Sequence, residues 1–211
     1  MQVANSKNSL MPWALVTIVS LLAIYVWASS LNWHFGTLSA YQFFPLLGLL
    51  AFSIMWSQYV SGFLRQHFFH DAKLDTYFRF TGYAVLVAIV LHPSILIYKR
   101  FRDGFGLPPH SYESYVMPSM AWITLLGTAC LFIFLAFELH RWFSHKRWWK
   151  YVANTADFAM VGIFYHALEL GTQTHIGWFR VIWYFYGLTL LIILMHKYLG
   201  FIFHKTATPT H

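Results

Sequence analysis

The sequence predicts an all-α polytopic membrane protein, one bundle of six spanning helices over residues 1–211, and three observations carry that prediction. Apolar residues make up 58% of the chain and charged residues only 10%, against about 25% charged in soluble domains. Six separate stretches each approach the roughly twenty mainly apolar residues that a membrane crossing needs. The charges fall in short clusters between those stretches. The solvent of this chain is therefore lipid.

The first span, roughly Leu10 to Leu31, follows an opening stretch with a single lysine, Lys7. It is longer than a signal-peptide core and lacks a small-residue cleavage site, so it reads as a retained helix. The second runs over Gln42 to Leu64 and the third over Phe80 to Tyr98. The fourth covers Tyr115 to Leu139, the fifth Trp149 to Leu168 and the sixth Gly177 to Phe203. Trp33, Tyr41, Tyr98, Tyr112, Tyr115, Trp148, Trp149 and Trp178 fall near the proposed membrane faces, as an aromatic belt should. The linkers are short, no internal repeat stands out, and no soluble domain is expected at either end.

Orientation follows from Lys and Arg, which concentrate in cytoplasmic loops. With the N-terminus inside, Lys7, Arg65, Lys73, Arg79, Arg141, Lys146, Arg147, Lys150, Lys197 and Lys205 collect on the inner side. Lys99, Arg100, Arg102 and Arg180 are left outside. Both termini are thus expected in the cytoplasm, with the Lys99–Arg100–Arg102 cluster an exception. Most of the net charge of +7 is explained this way, and a nucleic-acid partner, which would need a basic stripe facing water, is not expected.

A single cysteine, Cys130, excludes a disulfide framework, a thiolate zinc site and an iron–sulfur cluster. Twelve histidines remain as the abundant ligand. Three lie within spans, where a polar side chain is costly and a functional candidate by default: His92, His166 and His196. His92 and His166 both fall in the outer half of spans that start on the inner side. Two parallel helices that each offer an imidazole are the minimal site for a six-coordinate haem, with His92 and His166 as axial ligands. Each imidazole could equally hydrogen-bond to a neighbouring helix. Phe80, Phe158, Phe164 and Tyr165 are the aromatics expected to line a porphyrin, and His196 is read as a packing residue.

The stretch Tyr77-Phe78-Arg79-Phe80-Thr81-Gly82-Tyr83, followed by apolar residues and Leu91-His92-Pro93, resembles the third helix of the ferric reductase-like transmembrane domain family. Lys146-Arg147-Trp148-Trp149-Lys150-Tyr151, leading to Tyr165-His166, is similar to that family's fifth helix. The resemblance implies b-type haem held between these helices. The family's inner histidine of each helix is replaced, by Phe78 and by Ala153, so the resemblance implies one haem rather than two. The thirteen or fourteen residues to the inner positions span about 20 Å, leaving a long path from the cytoplasmic side. The chain looks like the stand-alone bacterial members, electron-transfer subunits of the cytoplasmic membrane that draw on quinol or a separate flavoprotein and pass electrons to a partner or small acceptor. Donor, acceptor and oligomeric state are not written in any motif.

Other polar residues have roles to assign. Asp157, with Asn154 on nearly the same face, must be protonated or paired; it could accept a proton from quinol or pair with a base at the inner interface. Glu169 could meet His175 or Arg180, and Arg180 could meet a haem propionate or act as an interface anchor. A rival reading takes His67, His70, His140 and His145 as the H-x2-H and H-x4-H boxes of a membrane di-iron oxidase or desaturase, although a third box is lacking. A non-catalytic haem sensor or assembly protein is the third class.

Overall fold

The computed structural model describes residues 3–36, 38–68, 74–138 and 145–206. All regular elements among them are helical: α1 (Val3–Ser30), α2 (Ala40–His67), α3 (Asp75–Arg102), the single turn α4 (His110–Glu113), α5 (Ala121–Glu138), α6 (Trp149–Leu170) and α7 (Gly177–Thr206). Two 3-10 turns, Pro118–Met120 and Thr172–His175, lead into α5 and α7.

Local chemistry sets the boundaries. α1 ends where Asn32 and Trp33 take positive φ of 49° and 60°, a conformation that cannot continue a right-handed helix. At the start of α2 the Ser39 backbone N–H donates to Gln42 Oε1 at 2.7 Å, satisfying a donor that the helix cannot. α3 opens with Asp75 and closes with Lys99, Arg100 and Arg102, charges that match the positive and negative ends of its dipole. It stops at Asp103 and Gly104, the latter at φ 86°.

α2 is the central helix, with Ala51 through Ser57 all buried. It packs against α1 and α3 and also meets α6 and α7. α5 and α6 form a second close pair, and α3 touches α5. The core is thus two helix pairs, α2 with α3 and α5 with α6, closed by α1 and α7. Trp56 ties α2 to α7 by donating to the Tyr186 carbonyl at 3.1 Å and to Thr189 Oγ1 at 2.8 Å.

Among the described residues, five helical segments are long and apolar enough to cross a membrane: 10–30, 40–67, 75–102, 118–137 and 177–199. The fifth expected span forms a 22-residue helix, α6, and is not among them. Asn154, Asp157, His166 and Glu169 dilute its apolar character. Other boundaries shift too. The third span starts at Asp75 rather than Phe80, because the polar residues of its first turn are still helical. The fourth starts at Ala121 after a Pro118 turn, leaving Tyr115 in the preceding loop. The second span runs on past Leu64, so that His67 is the last residue of α2.

Candidate functional site

His92 and His166 line one cavity of about 250 Å³ between the two helix pairs. His92 projects from α3 toward α2, where its Nδ1 lies 2.7 Å from the Phe44 carbonyl oxygen. His166 projects from α6 toward α5, where its Nδ1 lies 2.8 Å from the Ile123 carbonyl oxygen. A carbonyl only accepts, so Nδ1 carries the hydrogen in both rings and each Nε2 keeps a free lone pair.

Each ring is seated on a glycine one turn beyond the carbonyl it binds. A Cβ on Gly48 would stand 2.8 Å from His92 Cε1, and one on Gly127 would stand 2.6 Å from both Cε1 and Nδ1 of His166. Carbon atoms in contact sit about 3.5–4.0 Å apart, so any other residue would push the ring off its carbonyl. Phe44 completes the first seat, stacked on the His92 ring at 4.1 Å and 7°. The two seats are built alike: a glycine, the carbonyl one turn earlier, and a histidine from the partner helix.

On α2 and α3 a similar pairing recurs fourteen residues away without a ligand. Phe78 lies fourteen residues before His92, and Gly62 fourteen after Gly48; the Phe78 ring lies 4.0 Å from where a Cβ on Gly62 would be. An aromatic ring therefore occupies the equivalent place on α2, but it has no nitrogen.

The cavity wall otherwise is mainly apolar and aromatic, including Phe44, Phe52, Phe134 and Trp183. Thr124 Oγ1, Gln173 Oε1 and Trp183 Nε1 are buried polar atoms of its lining residues with no partner among the described residues. Buried polar atoms usually have partners, so these three leave capacity for a ligand with polar edges. Paired imidazoles with free Nε2 atoms, glycine clearance and a mainly apolar, aromatic wall fit a bis-histidine haem.

Several expected neighbours stand elsewhere. Tyr165 points away from the cavity and stacks on Trp122 at 5.8 Å. Arg180 does not line the cavity; its Nε donates to Tyr184 at 2.9 Å. Phe80 and Phe158 are 63% and 70% exposed, and Phe164 stacks on Trp183 at 6.0 Å. His175 contacts the Glu169 backbone oxygen at 3.4 Å rather than its carboxylate. Gly82 faces open space.

Asp157 is paired. Its carboxylate, on a residue 4% exposed, accepts from Tyr59 at 2.8 Å, Tyr198 at 2.7 Å and the Lys197 ammonium. This joins α2, α6 and α7. His196 meets His67, ring centroids 4.5 Å apart and perpendicular. His70 and His140 lie outside the described residues, and His145 is exposed. Among the described residues no three His, Cys, Asp or Glu side chains come together as a metal group.

The fold and cavity define a helical protein with helices long and apolar enough to cross a membrane around a paired-imidazole pocket. No known protein family, curated protein or solved structure matches the chain.

Proposed function

We propose that the chain is a membrane b-type cytochrome subunit that holds one haem between His92 and His166 and carries electrons to a partner protein or small acceptor. The observation that carries this reading is the duplicated seat, in which two helix pairs each present an imidazole to the same cavity with Nδ1 occupied and Nε2 free. Both imidazoles make the bond to a neighbouring helix that a packing role also uses; what supports a ligand role is that both rings line the same cavity.

The bound haem would supply reversible one-electron chemistry; the residues do the rest. His92 and His166 would hold the iron. Phe44 and Ile123 carbonyls fix the ring orientation and make each imidazole a stronger donor, which favours the oxidised metal. Gly48 and Gly127 let the rings reach those carbonyls. The aromatic wall would keep water from the bound group and lower the local dielectric. Phe78 and Ala153 provide no inner ligand pair, so the reading is of one haem.

On this reading α6 crosses the bilayer as a sixth span. Its polar residues are accommodated because His166 faces the cavity and Asp157 is paired internally. Both termini would lie in the cytoplasm of a bacterial inner membrane, and electrons would come from quinol or from a flavin on a partner protein. The test is the optical spectrum of the detergent-solubilised chain from haem-replete cells. A sharp Soret band that shifts on dithionite reduction is expected, lost in His92→Ala and in His166→Ala. A colourless protein overturns the proposal, and iron without porphyrin would favour di-iron chemistry.

A further inference from the structure

Lys99, Arg100 and Arg102 defy the positive-inside pattern, and their surroundings offer a reason. They close α3, the helix that also supplies His92, Leu96 and Ile97 to the cavity. From His92 a column of rings leads toward them: Phe44 stacks on His92 at 4.1 Å, Tyr41 on Phe44 at 5.9 Å, and Tyr115 meets Phe44 edge-on at 6.3 Å. Tyr41 and Tyr115 both line the cavity. The Lys99 ammonium sits 5.7 Å from the Tyr41 ring centroid while bonded to Asp103 at 2.6 Å.

Arg100 is held more firmly. Its terminal nitrogen donates to the Ser114 carbonyl at 2.6 Å and to Ser114 Oγ, and its guanidinium carbon lies 3.6 Å from the Phe105 ring centroid. Its Nε–H is nevertheless buried with no partner among the described residues. Burial pushes the Tyr115 phenol above its ordinary range, Tyr41 beside it adds to that, and Arg100 opposes it. No Lys, Arg, Asp or Glu lines the cavity, Arg100 included; Arg100 stands just behind the wall, bonded to Ser114, the residue next to the lining phenol Tyr115. A spare donor on a held guanidinium is costly unless an anion takes it. Arg102, by contrast, is mostly exposed and its contact with Asp103 is 3.4 Å.

We propose that Arg100, with the Tyr41 and Tyr115 hydroxyls, seats a carboxylate of the ligand held between His92 and His166. This rests on the haem reading, under which the carboxylate is a porphyrin propionate and Arg100, not Arg180, is its counter-ion. An acidic protein docking on the outer face would use the same charges, and the experiment separates the two.

Haem b and its dimethyl ester, which has no free carboxylate, are titrated into the full detergent-solubilised chain and followed by the Soret band. Arg100→Gln is expected to weaken haem b about ten- to hundredfold, the range of a charge-assisted hydrogen bond, and to leave the ester unchanged. Arg180→Gln is expected to change neither. Ester binding retained in Arg100→Gln also shows that the variant is folded. Equal weakening of both porphyrins overturns the carboxylate seat in favour of a packing role. No change with either overturns it too and leaves the basic cluster to an outer partner. A wild-type chain that gives a low-spin spectrum with neither porphyrin fails the haem reading itself, and the seat with it.

Discussion

Replacing Gly127 by alanine places one carbon where the structure has none to spare. The new Cβ would lie 2.6 Å from two atoms of the His166 ring, against contact distances of about 3.5–4.0 Å, so the ring must retreat by roughly 1 Å. That carries Nδ1 from 2.8 Å to beyond hydrogen-bonding range of the Ile123 carbonyl. Losing such an outer-shell partner typically costs about 10–100-fold in metal affinity, or roughly 1.4–2.8 kcal/mol. Haem titration of the purified variant measures it. Gly48→Ala moves the same way by less, since its Cβ would meet His92 at 2.8 Å. Gly82→Ala is the control: nothing lies within 4 Å, and alanine there is expected to add up to about 1 kcal/mol of helix stability. Wild-type affinity and spectrum in Gly127→Ala would refute the idea that the glycine seat positions the ligand.

Further outcomes follow from other residues. Asp157→Leu removes the acceptor of the Tyr59 and Tyr198 hydroxyls and is expected to cost about 1–3 kcal/mol, with Lys197 contributing little because its side chain is 49% exposed. Thermal unfolding in detergent should fall while the haem spectrum stays; an unchanged melting temperature, or loss of haem alone, contradicts this. Phe78→His should leave haem content at one per chain because position 153 offers no partner nitrogen, and a second equivalent on quantitation argues the reverse. Tyr165→Phe and Trp122→Leu act outside the cavity and should shift haem affinity by less than about twofold; a tenfold loss would return Tyr165 to the site.

Much of the fold was legible because lipid imposes a simple rule: long apolar runs become helices, and the runs around Leu21, Phe52, Val87, Phe132 and Leu190 did. α6 was harder, since the same Asp157 and His166 that make it interesting lower its apolar character. Its existence was readable from length, but its membrane crossing was not. His92 and His166 stand out as polar groups in the outer half of their spans, and they do share a cavity. The glycines did not stand out. Gly48 matters only because α3 brings His92 against it, a long-range pairing that no local pattern records, and the unequal chain separations of the two Gly–His seats hide the repeat. In the sequence Arg180 and Tyr165 are candidates only through proximity to a helix end and to His166. On a helix, adjacent residues point about 100° apart, so Tyr165 turns outward when His166 turns in. In the sequence Asp157 reads as either a proton acceptor or one half of an ion pair. The structure pairs it, but Tyr59 and Tyr198 as co-donors depend on how α2 and α7 meet, which sequence spacing does not convey.

Haem quantitation per chain, combined with the low-temperature electron paramagnetic resonance spectrum of the oxidised protein, tests the paired-imidazole centre most directly. One b haem per chain with a low-spin bis-imidazole signal, abolished in either His92→Ala or His166→Ala, is the predicted result. Two haems per chain, a high-spin centre with one histidine ligand, or a low-spin signal that survives both substitutions would contradict it.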